Sequence, residues 1–168
     1  MSGVDFLTAL GRLLRDAKLR EDFAGDAALA AEQIGVAETD RAAFERLDVI
    51  GLEAQATVLM RKRYRTAQRR LPRTCAGLNQ RTWPSFANYA RGAWPASEAA
   101  DALAFAEWLL ARGDAVDIEE INRLRFSLGT RRIAIHLLPR KGALPLPAGQ
   151  LFMRTGSRIL EYLIRFGW

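Results

Sequence analysis

The sequence predicts an α+β protein: a helical N-terminal domain over residues 1–94, then a small α/β domain over 97–168 with two helices and a short antiparallel sheet. Three observations carry this. The first half reads as helix after helix, each with apolar residues three or four apart. After Gly129 the period changes, and the run Arg132-Ile133-Ala134-Ile135-His136-Leu137-Leu138 suits a strand. Between the halves, Trp94-Pro95-Ala96-Ser97 is the best linker.

Taken in order, Ser2 is placed to cap a first helix whose apolar face is Val4, Leu7, Leu10, Leu13 and Leu14. A short helix around Leu19 and Phe23 ends near Gly25. Asp26 caps the next, which carries Ala28, Leu29 and Ile34 and is closed by Gly35. Residues 39–48 form another, with Phe44 and Leu47 inward. The longest candidate spans 49–70, marked by Ile50, Leu52, Ala56, Leu59, Met60 and Tyr64, and Pro72 ends it or opens its successor. Short helices follow at 72–80 and 84–92. Ser97 caps a helix to Arg112 with Ala100, Leu103, Ala104, Trp108 and Leu110 apolar, and Asp117 to Glu120 has the pattern of a capping box for a helix that Gly129 ends. Pro139 to Gly149 reads as a loop, and residues 150–154 as a second strand. Ile159 to Phe166 is either a third strand or a short helix, and strand is favoured.

At 168 residues, 49% hydrophobic and 26% charged, the chain suits a soluble globular protein of one domain or two small ones. No apolar run approaches the roughly 20 residues that a membrane span needs, and the N-terminus lacks the charged and apolar regions of a secretory signal. The single cysteine, Cys75, has no internal disulfide partner, which fits a reducing cytoplasm.

Charge is segmental. Residues 1–53 carry a net −5, residues 54–96 hold nine bases and no acid, and residues 129–168 hold seven bases against the one acid Glu161. The densest run is Arg61, Lys62, Arg63, Arg65, Arg69, Arg70 and Arg73. On a helix, Arg61, Arg65 and Arg69 share one face. Two readings stand: the acidic N-terminal helices neutralise this run, or it is a surface for an anionic partner. Nucleic acid is one such partner. Pro72 and Pro84 break the region, however, and only Tyr64 interleaves the cluster, so nucleic acid is not favoured.

Little else carries chemistry. His136, the only histidine, lies in an apolar run where a structural role outweighs a catalytic one. Cys75 follows a helix start near Arg73, a setting that lowers a thiol pKa, yet a small core residue is the better reading. One His and one Cys supply no His/Cys metal cage. Phosphate-loop, nucleophile-elbow and zinc-protease motifs are absent from the sequence. An autonomous enzyme is therefore the weakest hypothesis, and neither catalytic residues nor metal ligands are assigned.

Several short motifs point to a family. The opening Phe-Leu-x-x-Leu-x-x-Leu-Leu-x-Asp is followed by Leu-Arg-Glu-Asp-Phe and by Ile-Gly-Val before a short helix ending Leu-Asp. Later come Arg-Lys-Arg-Tyr and Leu-Pro-Arg-Thr. Over most of residues 4–92 the chain resembles the small partner subunits of multinuclear iron-dependent oxidases that modify cysteines in ribosomally made peptides. These are the TglI type of 3-thiaglutamate biosynthesis and the MbnC type of methanobactin biosynthesis. The resemblance implies a non-catalytic, cytoplasmic accessory subunit that forms a heterodimer with an iron-dependent barrel enzyme. It carries no cofactor itself, and iron belongs to the partner. Its C-terminal domain acts as a peptide recognition element, taking the precursor's leader as an added strand. On this reading Arg131, Arg132, Ile133, Ile135, Arg154 and Arg158 form the peptide-binding set, and Arg61, Arg63, Arg65, Arg69 and Arg73 dock the enzyme. The alternative is a nucleic-acid-binding regulator.

Overall fold

A computed structural model describes residues 3–92, 94–138 and 148–165. Ser2, most of the loop expected at 139–149, and Phe166 lie outside them. The elements are α1 (Phe6–Arg15), α2 (Ala17–Gly25), α3 (Ala27–Ile34), α4 (Glu38–Glu45), α5 (Val49–Arg70), α6 (Pro72–Leu78), a 3-10 turn (Asn79–Arg81), α7 (Thr82–Ala90), α8 (Glu98–Ala111), α9 (Ile118–Leu128), β1 (Ile133–Leu138), β2 (Ala148–Thr155) and β3 (Arg158–Arg165). The fold is α+β, mostly helical with a small C-terminal antiparallel sheet in the order β1-β2-β3. The ambiguity from Ile159 onward resolves as strand as far as Arg165.

The chain divides into two compact units, residues 1–64 with 87–94 and residues 65–86 with 95–168. A single cut between 94 and 97 would leave residues 65–86 with the first unit, whereas they cluster with the second.

In the first unit, aspartates start three consecutive helices. Asp5, Asp16 and Asp26 accept from the N–H groups of Thr8, Leu19 and Leu29, each satisfying an amide that the helix itself leaves bare. The cap of α1 is thus Asp5, since the helix begins only at Phe6. Phe23 and Phe6 meet Phe44 edge-on, with ring centroids 5.4 and 6.5 Å away. Around them Ala9, Leu13, Ala31 and Ile34 close the core. Buried Arg20 donates to the carbonyls of Leu13 and Leu14 at the end of α1 and to Glu53 of α5 at 2.7 Å. Val4 and Val36 form a short parallel bridge. Beside it, a Cβ on Gly3 would lie 2.6 Å from the Cα of Ala37.

Five residues expected inside are exposed: Leu7, Ala28, Leu29, Ile50 and Leu110. In α1 the buried stripe runs through Phe6, Ala9 and Leu13, so Leu7 falls on its flank. In α3 it runs through Ala30, Ala31 and Ile34. In α5 it passes through Leu52 and Ala56, away from Ile50. α8 is apolar almost all round, and packing selects Ala102, Phe105, Ala106 and Leu109.

In the second unit, Glu120 is the central tie. Its fully buried carboxylate accepts from the backbone N–H groups of Arg73 and Thr74 at 2.7 and 3.0 Å and from the Thr74 hydroxyl at 2.8 Å. A glutamate on α9 thereby caps α6, whose own N-cap, Leu71, has no side chain able to do so. Pro72 at the helix start needs no partner for a missing N–H. Phe86 meets Phe105 edge-on at 5.1 Å. Between α9 and the sheet, Phe126 stacks on Phe152 at 5.1 Å. The fully buried Gln150 bonds Asn122, the carbonyl of Glu119 and Glu161, leaving its amide satisfied.

Candidate functional site

Strand alternation gives the sheet two unlike faces. Phe152 and Gln150 point toward α9. The other face aligns Ile133 with Met153 and Leu160, and Ile135 with Leu151 and Tyr162. Ile133, Ile135, Leu137, Met153, Leu160 and Tyr162 are all exposed, Leu137 by 74%. A contiguous apolar surface of this kind marks an interaction site more often than chance exposure does.

The ladder fixes what β1 presents at its outer edge. The Arg154 N–H donates to the Arg132 carbonyl at 2.7 Å, so these two form a hydrogen-bonded pair. In an antiparallel ladder such pairs recur at every second residue: Ala134 with Phe152, His136 with Gln150 and Leu138 with Ala148. The N–H and C=O groups of Ile133, Ile135 and Leu137 consequently face outward, and among the described residues nothing pairs with them. β1 contains no Asp, Glu, Lys or Arg, while the other edge strand, β3, carries Arg158, Glu161 and Arg165. The β2–β3 hairpin has two central residues, Gly156 and Ser157, between paired Thr155 and Arg158. Gly156 sits at φ +60°, as the first position of a type II′ turn demands.

The six residues assigned to peptide binding separate into two groups. Ile133 and Ile135 lie on the open face, and Arg131, Arg132 and Arg158 are exposed. Arg154 is different. Its Nη2 donates to the carbonyls of Phe126, Ser127 and Gly129 at 2.8, 3.1 and 2.8 Å, and its guanidinium lies over the Phe126 ring. It is a cap for α9's C-terminus, where a cation also complements the helix dipole.

The basic run divides similarly. Arg73 meets Glu119, Asp117 and Glu120 at 2.9, 3.2 and 3.6 Å, and Arg70 reaches Glu98 at 3.7 Å. These carboxylates come from the starts of α8 and α9, not from the acidic N-terminal helices. Arg69 donates to Thr66, and Arg63 lies over the Trp94 ring at 4.5 Å. Arg61, Lys62 and Arg65 are exposed and have no ion-pair partner among the described residues.

Sequence reasoning missed a cleft of about 440 Å³ in the first unit, lined by Arg12, Arg15, Asp16, Leu19, Arg91 and Trp94. The sequence places Trp94 in a linker, and no spacing joins it to Arg15 or Arg63. Cys75 is buried, and loss of hydration with the nearby Glu120 charge pushes its thiol up to about 11, so it is a core residue, not an activated nucleophile. His136 meets Phe152 edge-on at 5.8 Å. Among the described residues no three His, Cys, Asp or Glu side chains gather as a metal set, and no helix is long and apolar enough to cross a membrane.

Residues 40–111 match the family model described as SCO6045-like, C-terminal domain. The match runs from α4 through α8, under half of the chain, and includes the basic run and the Leu-Pro-Arg-Thr motif but not the sheet. No curated protein and no solved structure matches the chain.

Proposed function

We propose that the protein is a non-catalytic accessory subunit of an iron-dependent peptide-modifying enzyme, binding the precursor peptide as a strand added to β1 and presenting its cysteine to the partner barrel. The observation that carries this reading is the bare β1 edge. Natural sheets blunt their edges with charge, proline, bulges or cover. β1 does the opposite: its outward backbone groups at Ile133, Ile135 and Leu137 lack partners among the described residues, and its side chains extend an apolar face. An extended peptide satisfies both features, taking backbone hydrogen bonds from the edge and apolar contact from the face. Arg131, Arg132 and Arg158 would steer an acidic leader. Arg61, Arg65 and Arg69, four residues apart on α5, are the surface proposed for the enzyme. Arg73 and Arg154 leave both sets, because each is held within the fold.

Co-expression of the tagged chain with its neighbouring genes tests this. A co-purifying iron-bearing enzyme and saturable leader binding at about 0.15 M salt are expected. Changing Arg61, Arg65 and Arg69 together to Glu should release the enzyme and keep the peptide. Changing Ile135 to Lys should release the peptide and keep the enzyme. A chain that emerges alone and instead binds duplex DNA with a steep salt dependence would make the regulator the correct reading.

A further inference from the structure

Between the C-terminal end of α9, the 129–131 connection and the α9 side of β1 lies a cleft of about 320 Å³, and no residue of β2 or β3 lines it. Its walls include Arg125, Thr130, Arg131, Ala134 and His136. The geometry points to this cleft as a selectivity pocket that takes an acidic side chain from every second position of a peptide strand added to β1. This rests on the strand-addition reading and specifies the peptide it selects.

The placement follows from strand periodicity. A strand paired with β1 continues the sheet, so its residues beside Ile133, Ile135 and Leu137 join the open apolar face, while those beside Ala134 and His136 turn toward α9. The latter positions enter the cleft. Arg125 is already held by Glu107 at 2.8 Å, which leaves Arg131, without a partner among the described residues, as the cation available to a carboxylate. Among the described residues no acid lines the cleft. Apolar residues alternating with acidic ones are therefore the complementary pattern, and a basic residue at the same positions meets like charge.

Selection of a displayed heptapeptide library, with valine alternating with randomised positions, on the full-length chain tests the pocket. Acidic residues should be enriched over basic ones by about five-fold, the range of a solvated ion pair. The Arg131→Glu variant should reverse the preference. Hydrogen exchange of the Ile133, Ile135 and Leu137 amides in the presence of selected peptides separates two failures. Protected amides with no charge preference would overturn the pocket and leave strand addition standing. Selected peptides that leave those amides exchanging, or no selection at all, would overturn both.

Discussion

The two faces of the C-terminal sheet are made by the same three strands and obey opposite rules. Toward α9, Phe152 is matched by Phe126, Gln150 by Asn122 and Glu161, and Arg154 by three carbonyls. On the other face and along β1, apolar side chains and backbone groups stand open. The closed face packs the sheet on α9, while the open one has no such cover among the described residues. The difference teaches where to look for function: at groups the fold has left unmatched, not at those that are merely charged.

Substitutions sharpen the contrast, from the closed side to the open one. Phe152→Ala should lower stability by about 3–5 kcal/mol in denaturant unfolding, through a cavity against Phe126. Glu120→Ala should lower it by about 3 kcal/mol, because two backbone amides and a hydroxyl lose their acceptor. A near-wild-type midpoint would show that water replaces the carboxylate. Arg154→Ala should fall in the range of about 1–3 kcal/mol. Ile135→Lys, on the open face, should change stability by less than about 0.5 kcal/mol while abolishing leader-peptide binding. A large loss of stability there would mean that the face is structural, and the contrast would fail.

Acid probes the closed side differently. Burial alone would raise the Glu161 carboxyl, but the Arg123 and Gln150 hydrogen bonds, with the Arg123 and Arg73 charges, together hold it below the usual carboxylate range. Its folded pKa is depressed, so its contribution is present above the ordinary value of 4.5 and is lost as pH falls through the folded value. Unfolding midpoints should drop in that window for the wild-type chain and drop less for Glu161→Gln.

The sequence revealed what depends on near neighbours. The caps at Asp26, Ser97 and Asp117 and the closing Gly35 were legible because donor and acceptor lie three or four residues apart. The buried face of α8 was not, since a helix apolar all round gives periodicity no contrast. Nor could spacing tell Arg131, just before β1, from Arg154, near the end of β2. Only the fold puts three α9 carbonyls beside the second. Leu-Pro-Arg-Thr was visible as a motif, but its chemistry depends on Glu120, 46 residues beyond Thr74.

That separation bears on how the chain comes off the ribosome. Synthesis runs from the N-terminus, so the amides of Arg73 and Thr74 emerge well before the carboxylate that they need. Residues 65–86 belong with partners that are made later, and they wait, incompletely satisfied, until α9 has left the exit tunnel. A chain released after residue 94 would carry this stretch with no glutamate to receive it, exposing Leu71, Cys75, Leu78 and Phe86 to solvent and to proteases.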